Sequence, residues 1–364
     1  MDFELSDEQA ELQRSVRQVL AEECPISLVR DVVENGASPE QPWKSATALG
    51  WVGITVPERC GGLGLSFEEL GLVVEEHGRV LAPGRFLATT TWFTPLVREA
   101  GSDAQQQRFL SRVAAGECTG TVAVEGAPGA VSARPGADGW VLDGARSPVL
   151  DGDCADEVIV VAEVEAGDGV GLFVVPRERC RAEPWTSLDP SRPVSRLVFD
   201  GVAVADDRVL GRPGACAEPL ARALDEARVA LALEIVGACA TLLDACLAHA
   251  KQRVQFDQPI GAFQALQHKC ADMFVQVEKA RATAYFAMMT LAEDDPRRRL
   301  AASMAKAAAG DAQRLVAKEA IQIHGGTGFT WECDVQLFVR RLKTAEALLG
   351  NTPHHRARIA ALLL

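Results

Sequence analysis

Two apolar seams in the C-terminal part of this chain constrain its fold more than anything else in it. Leu233, Val236, Ala240, Leu243, Leu247 and Ala250 recur by threes and fours, and so do Phe263, Leu266, Cys270, Met273, Val277, Ala280 and Ala284. That spacing lines one face of an α-helix. Two stripes of about five turns each imply long helices that bury their faces against neighbours, as in a bundle. Helix is expected from about Glu218 onward. A third helix spans roughly Arg298 to His324 and a last one roughly Val335 to Gly350, which Thr352-Pro353 breaks before a short tail.

The remainder of the chain has a different character. Residues 1–115 read as helical: Ser6 and Gln9 form a capping-box pattern ahead of Leu12, Val16, Val19 and Leu20. A loop at Pro57–Gly64 precedes a helix from Phe67 to Val80, which Pro83-Gly84 ends. Residues 116–212 hold short β-type runs at Thr119–Val124, Trp140–Leu142, Glu157–Val164, Gly171–Val175 and Arg196–Phe199, separated by Gly, Pro and Asp. They predict a small antiparallel barrel or sandwich. The fold class is therefore α+β, mainly α: helical domain 1–115, middle β domain 116–212, helical bundle 213–364.

A length of 364 residues suits two or three domains, and 48% hydrophobic residues suffice for a sizeable core. The formal net charge of −13 argues against a nucleic-acid surface, which needs clustered Lys and Arg. The acidic start at Met1–Leu5 gives no expectation of a secretory signal, and no uncharged apolar run of bilayer-spanning length is evident. Ten Cys without C-x-x-C pairs read as reduced, mostly buried thiols of a cytoplasmic protein, with no metal site. His354-His355 reads as a surface pair.

Two short motifs carry chemistry. The first is Arg253-Val254-Gln255-Phe256-Asp257-Gln258-Pro259-Ile260. The second is Ile321-Gln322-Ile323-His324-Gly325-Gly326-Thr327-Gly328-Phe329. Arg pairs with phosphate oxygens through charge-assisted hydrogen bonds, and Gly lets backbone approach a ligand closely. Each motif also has an ordinary reading: Arg253 at a helix C-terminus, and Gly325-Gly326 as a C-cap.

Together, and with the helix–β–helix order, these motifs resemble the acyl-CoA dehydrogenase family. Leu49-Gly50-Trp51, Pro57–Gly64, Glu75–Gly78, Leu188-Asp189-Pro190 and Phe263–Met273 extend the resemblance over essentially the whole chain. The resemblance implies FAD-dependent α,β-dehydrogenation of an acyl-CoA thioester, with a carboxylate base taking the α-proton. It also implies that Arg253, Phe256, Gln322, Gly325 and Gly326 contact the ADP end of an FAD housed by a neighbouring subunit. Asp257 stands where the family usually has Gly, and Asp tolerates the left-handed backbone better than most residues.

The same resemblance exposes gaps. The two places where the family puts its base hold Leu349 and Ala227. Glu226 lies one residue from Ala227, about 100° around the helix and in its first turn. Glu234 lies two turns on, about 10 Å along the same face. These two acids are the candidates for a relocated base. The flavin-facing loop of the β domain reads Val124-Glu125-Gly126-Ala127-Pro128-Gly129-Ala130. Its flavin-facing strand reads Ser147-Pro148-Val149-Leu150, with Pro148 in place of an aromatic and Leu150 in place of a hydroxyl.

The expectation is thus a base-lacking subunit of an α2β2 dehydrogenase, of the kind that acts on steroid side-chain CoA thioesters in actinobacteria. It would complete the FAD site of a second, acyl-CoA-binding subunit, whose electrons pass to an electron-transfer flavoprotein-like acceptor. The alternatives are an active homotetramer using Glu226 or Glu234, and a flavin-dependent oxygenase or flavin-free protein on the same fold.

Overall fold

The protein is described by a computed structural model over residues 4–127, 130–165 and 169–364. Helices α1 (Asp7–Glu23), α2 (Ile26–Asn35), α3 (Glu40–Ala48) and α4 (Phe67–Arg79) come first. Then come α5 (Phe86–Ala88), a π-helical turn at Thr89–Phe93, α6 (Thr94–Ala100) and α7 (Asp103–Ala114). The strands are β1 (Gly120–Ala123), β2 (Val131–Gly136), β3 (Gly139–Leu150), β4 (Glu157–Val164), β5 (Val170–Pro176), β6 (Arg181–Trp185), β7 (Val194–Val204) and β8 (Val209–Leu210). After them run α8 (Ala217–Gln252), a small hairpin of β9 (Val254–Gln255) and β10 (Gln258–Pro259), α9 (Gln264–Ala292), α10 (Arg298–His324), α11 (Val335–Ala347) and α12 (Thr352–Leu363).

Contacts gather the chain into two units that interleave along the sequence. One comprises Met1–Asn35, Phe67–Ala82 and Arg228–Leu364; the other comprises Gly36–Ser66 and Pro83–Ala227.

In the first unit, α1 starts on a capping box: Gln9 N donates to Ser6 Oγ at 3.1 Å and Ser6 N to Gln9 Oε1 at 3.2 Å. The seams meet at Val236, Ala280 and Ala312, small residues that draw α8, α9 and α10 together. Helices α4 and α8 approach closer still through reciprocal glycines. A Cβ on Gly78 would lie 2.2 Å from Glu234 O, and one on Gly237 would lie 2.0 Å from Glu75 O. Only glycine permits that contact. Buried Glu75 accepts from Arg281 Nε at 3.0 Å and from the Tyr285 hydroxyl at 2.7 Å, and buried Glu76 accepts from Arg17 at 2.7 and 2.9 Å.

In the second unit, the strands form an eight-stranded sheet of order β6-β7-β3-β2-β4-β5-β8, with β1 joined in parallel to β4. Val131, Leu142, Val158, Val160, Phe173, Leu197 and Phe199 fill its interior. Between Arg146↔Leu197 and Val149↔Ser195, β3 uses one more residue than β7. The bulge falls at Ser147-Pro148, where a residue without an N–H is tolerated.

Several expectations are corrected. Strands β2, β6 and β8 were absent from the sequence reading. Pro184 sits in β6, but β6 is an edge strand and needs no N–H there. Thr352-Pro353 does not end the helical structure. It opens α12, with Asn351 Oδ1 accepting from His354 N at 3.1 Å and Pro in the first turn, where its missing N–H costs nothing. His355 is fully buried, not a surface residue. Glu226 is the tenth residue of α8, well past the first turn. Among the described residues one helix, α8, is long and apolar enough by composition to cross a membrane, but 83% of its apolar window is buried inside the protein.

Candidate functional site

Arg253 follows α8 directly. Its N–H donates to His249 O at 2.8 Å, and its carbonyl accepts from Ile260 N at 2.8 Å, closing the hairpin below the turn. Pairing of Gln258 with Gln255 leaves Phe256 and Asp257 as a two-residue loop, with φ of 54° and 61°. Two successive left-handed residues make the type I′ geometry that suits a twisted hairpin. Asp257 does adopt the left-handed backbone. Phe256 is displayed at 87% exposure, with its ring edge-on to Phe263 at 6.2 Å.

The second motif ends α10. Gly325 caps the helix at φ 63°, ψ −141°, a conformation reserved for glycine. A Cβ at Gly325 or Gly326 would meet nothing within 4 Å, so this backbone faces open space. Gln322 and Phe329 are exposed beside it, whereas Gly328 is packed under His324 and Ile321. The two motifs are brought together by a contact that sequence reasoning missed. The ring of His249 stacks on that of His324, with centroids 4.3 Å apart. A helix-end arginine, an exposed aromatic and an open Gly-Gly backbone on one surface fit the phosphate and adenine end of a dinucleotide.

Both candidate acids are engaged. Buried Glu226 forms an ion pair with Arg98 through Oε1, while its Oε2 has no partner among the described residues. Burial pushes its carboxyl pKa up, opposed by the Arg98 charge. Glu234 is 3% exposed, and its Oε1 accepts from Arg341 Nη1 at 3.1 Å. The Arg341 guanidinium also donates to Leu81 O at 3.2 Å and Ala82 O at 3.3 Å. Ala227 is wholly buried.

Leu349 is held in the left-handed region at φ 54°, an outlier for a bulky residue. Its carbonyl accepts from His355 Nε2 at 3.1 Å, and Lys306 Nζ, itself buried, donates to Ala345 O at 2.8 Å and Glu346 O at 3.2 Å. Burial, with Lys306 and Arg228 nearby, lowers the His355 pKa to about 3, so its ring is neutral and donates through Nε2. The turn is thus firmly braced, and no carboxylate stands at residue 349.

In the β domain, Arg146 fills the space behind the loop at Gly126 and Ala127. Its guanidinium donates to Val161 O at 2.7 and 3.1 Å and to Ala127 O at 3.2 Å. An open cavity of about 640 Å³ borders Gly126, Ala127, Ala130 and Ser147. Pro128 and Gly129 of the expected flavin loop lie outside the described residues. Leu150 is buried and offers no hydroxyl.

Two family models match this sequence: acyl-CoA dehydrogenase, N-terminal domain, over residues 6–117, and acyl-CoA dehydrogenase, C-terminal domain, over residues 219–364. The chain belongs to the acyl-CoA dehydrogenase family. It is 34% identical over 319 residues to acyl-CoA dehydrogenase FadE34 of Mycobacterium tuberculosis, aligning 86% of this chain with 41% of that protein, so it spans less than half of FadE34. Among solved structures it is similar to the Tcur3481–Tcur3483 steroid ACAD, with TM-score 0.88, 28% identity and 98% of each chain covered. It is similar also to the ChsE4–ChsE5 complex from Mycobacterium tuberculosis, with TM-score 0.92, 25% identity, and 100% and 99% of the two chains covered. Measured against the acyl-CoA dehydrogenase pattern, the sequence reading missed Arg98 and Arg341, which engage the spare acids, and Lys306 and His355, which brace the Leu349 turn. His249 alone left a trace in the sequence, one helical turn before Arg253.

Proposed function

We propose that this chain is the base-lacking subunit of a heteromeric, FAD-dependent acyl-CoA dehydrogenase, and that its hairpin and Gly turn complete the FAD site of a second, acyl-CoA-binding subunit. The observation that carries this reading is an asymmetry. The surface suited to the ADP end of FAD is open and intact, while residue 349 is a braced leucine and both candidate acids are held in ion pairs. Bound FAD supplies the hydride acceptor for α,β-dehydrogenation. This chain's part is to bind and orient it: the Arg253 guanidinium pairs with pyrophosphate oxygens, the Gly325-Gly326 backbone lets the phosphates approach, and Phe256 packs beside adenine. The partner carries the carboxylate that takes the α-proton.

An α2β2 assembly in the cytoplasm, passing electrons to an electron-transfer flavoprotein-like acceptor, fits this division of labour. The similarity to a steroid ACAD and to a two-component complex favours steroid side-chain CoA thioesters as the substrate class. An active homotetramer is disfavoured because Glu226 and Glu234 are committed to Arg98 and Arg341.

The test is flavin stoichiometry. Purified alone, the chain is expected to be flavin-poor. With a dehydrogenase-like partner it should form a complex holding one FAD per heterodimer, and Arg253→Ala should weaken FAD by about 10- to 100-fold, the loss of one charge-assisted pair. One FAD per chain and acyl-CoA oxidation by this chain alone would refute the proposal.

A further inference from the structure

The hairpin and the Gly turn end different helices, and among the described residues no hydrogen bond or ion pair ties one to the other. What joins them is two imidazoles. His249 lies one turn before Arg253 on α8, and His324 is the last residue of α10; their planes are 29° apart at 4.3 Å. The His324 ring is fixed from behind by Nδ1, 2.9 Å from Ala320 O.

We infer that the His249–His324 stack is a positioning clamp, which holds the Arg253 hairpin against the Gly325-Gly326 turn and loosens when the His249 ring takes up a proton. This rests on the reading of that surface as a nucleotide site. Two like charges 4.3 Å apart repel even in a partly solvated setting, and Arg253 adds a third positive charge at the same place. The groups facing His249 are His324 from α10 and Arg253 from its own helix end. Elsewhere on these helices, Lys269 of α9 pairs with Glu319 of α10, and Lys318 shares the same carboxylate.

Burial, His324 and Arg253 hold the His249 pKa below its ordinary value. The sign follows. A ring whose folded pKa is lowered contributes fully above the ordinary histidine value of about 6.5, and that contribution is lost as pH falls below it. A phenyl ring at 249 keeps the stack and cannot titrate.

The experiment is hydrogen exchange by mass spectrometry on the full chain at pH 7.5 and 5.5, corrected for intrinsic rates. At pH 7.5, His249→Ala should raise exchange about tenfold in residues 253–260 and 325–329 together, the scale of one lost aromatic pair. His249→Phe should stay within about twofold of the parent. At pH 5.5 the parent should loosen at both segments and His249→Phe should not. The clamp is overturned if His249→Ala exchanges like the parent, or if His249→Phe loosens with acid as the parent does. FAD affinity of Arg253→Ala in the assembled enzyme reads the nucleotide site separately. An unchanged affinity there would remove the nucleotide reading and leave the exchange result standing.

Discussion

Glu234→Ala is expected to destabilise the protein by about 3–5 kcal/mol, the usual cost of leaving one member of a buried ion pair behind. The structure sets this scale. Arg341 is 1% exposed and Glu234 3% exposed, and they meet at 3.1 Å. At an effective dielectric near 20, unit charges at that separation attract by about 5 kcal/mol. After the substitution the guanidinium keeps the neutral carbonyls of Leu81 and Ala82 but loses the Glu234 carboxylate. Arg341→Met should cost a similar amount by removing the cation beside the buried carboxylate. Glu234→Leu with Arg341→Met should return to within about 2 kcal/mol of the parent, because neither charge is then buried alone. Urea unfolding at pH 7.5, followed by tryptophan fluorescence, gives the three values and their coupling. Single variants within 1 kcal/mol of the parent, or a double variant equal to the total of the singles, would refute the argument. Either result would also reopen Glu234 as a free carboxylate, the role its pairing argues against.

Two further outcomes follow from packing and protonation. Gly237→Ala places a methyl 2.0 Å from Glu75 O, so the variant should lose more than about 3 kcal/mol or fail to accumulate as folded protein, whereas Gly36→Ala, with nothing within 4 Å, should cost only its left-handed backbone strain, about 1 kcal/mol. His355 has a folded pKa of about 3, below the unfolded value near 6.5, so its contribution is complete above about pH 6.5 and declines as pH falls toward 3. Between pH 7.5 and 5 that decline is up to about 2 kcal/mol, and His355→Gln, which keeps a donor for Leu349 O, should show a correspondingly shallower acid loss in urea titrations.

Much of this architecture was legible because burial follows a period. Val16 and Leu20 in α1, and Met273, Val277, Ala280 and Ala284 in α9, are buried as their spacing implied. The same seam in α9 begins with Phe263, Leu266 and Cys270, which remain partly exposed. Periodicity shows that side chains share a face, not that anything covers it. The Phe256-Asp257 turn gave no Asn-Gly signal, because a hairpin braced by its flanks can impose left-handed backbone on residues that do not favour it. Pro353 was misread because proline both stops a helix and starts one, and only the cap at Asn351 distinguishes the cases. The site was legible in its motifs and illegible in its partners. Arg98 with Glu226, Arg341 with Glu234, and His249 with His324 are separated by roughly 75 to 130 residues, and only the folded helices bring them together.

The interleaving of the two units has a consequence for synthesis. One unit draws on Met1–Asn35, Phe67–Ala82 and Arg228–Leu364, so its earliest segments leave the ribosome long before their partners exist. At about 5–20 residues per second, α1 and α4, which pack on each other, wait roughly tens of seconds for α9, which packs against α4. The other unit ends at Ala227 and can close while translation continues. Nascent chains stalled between these points would display the face of α4 that α9 later covers, the kind of surface that holdase chaperones bind, and a fragment ending near Gln252 would retain that exposure indefinitely.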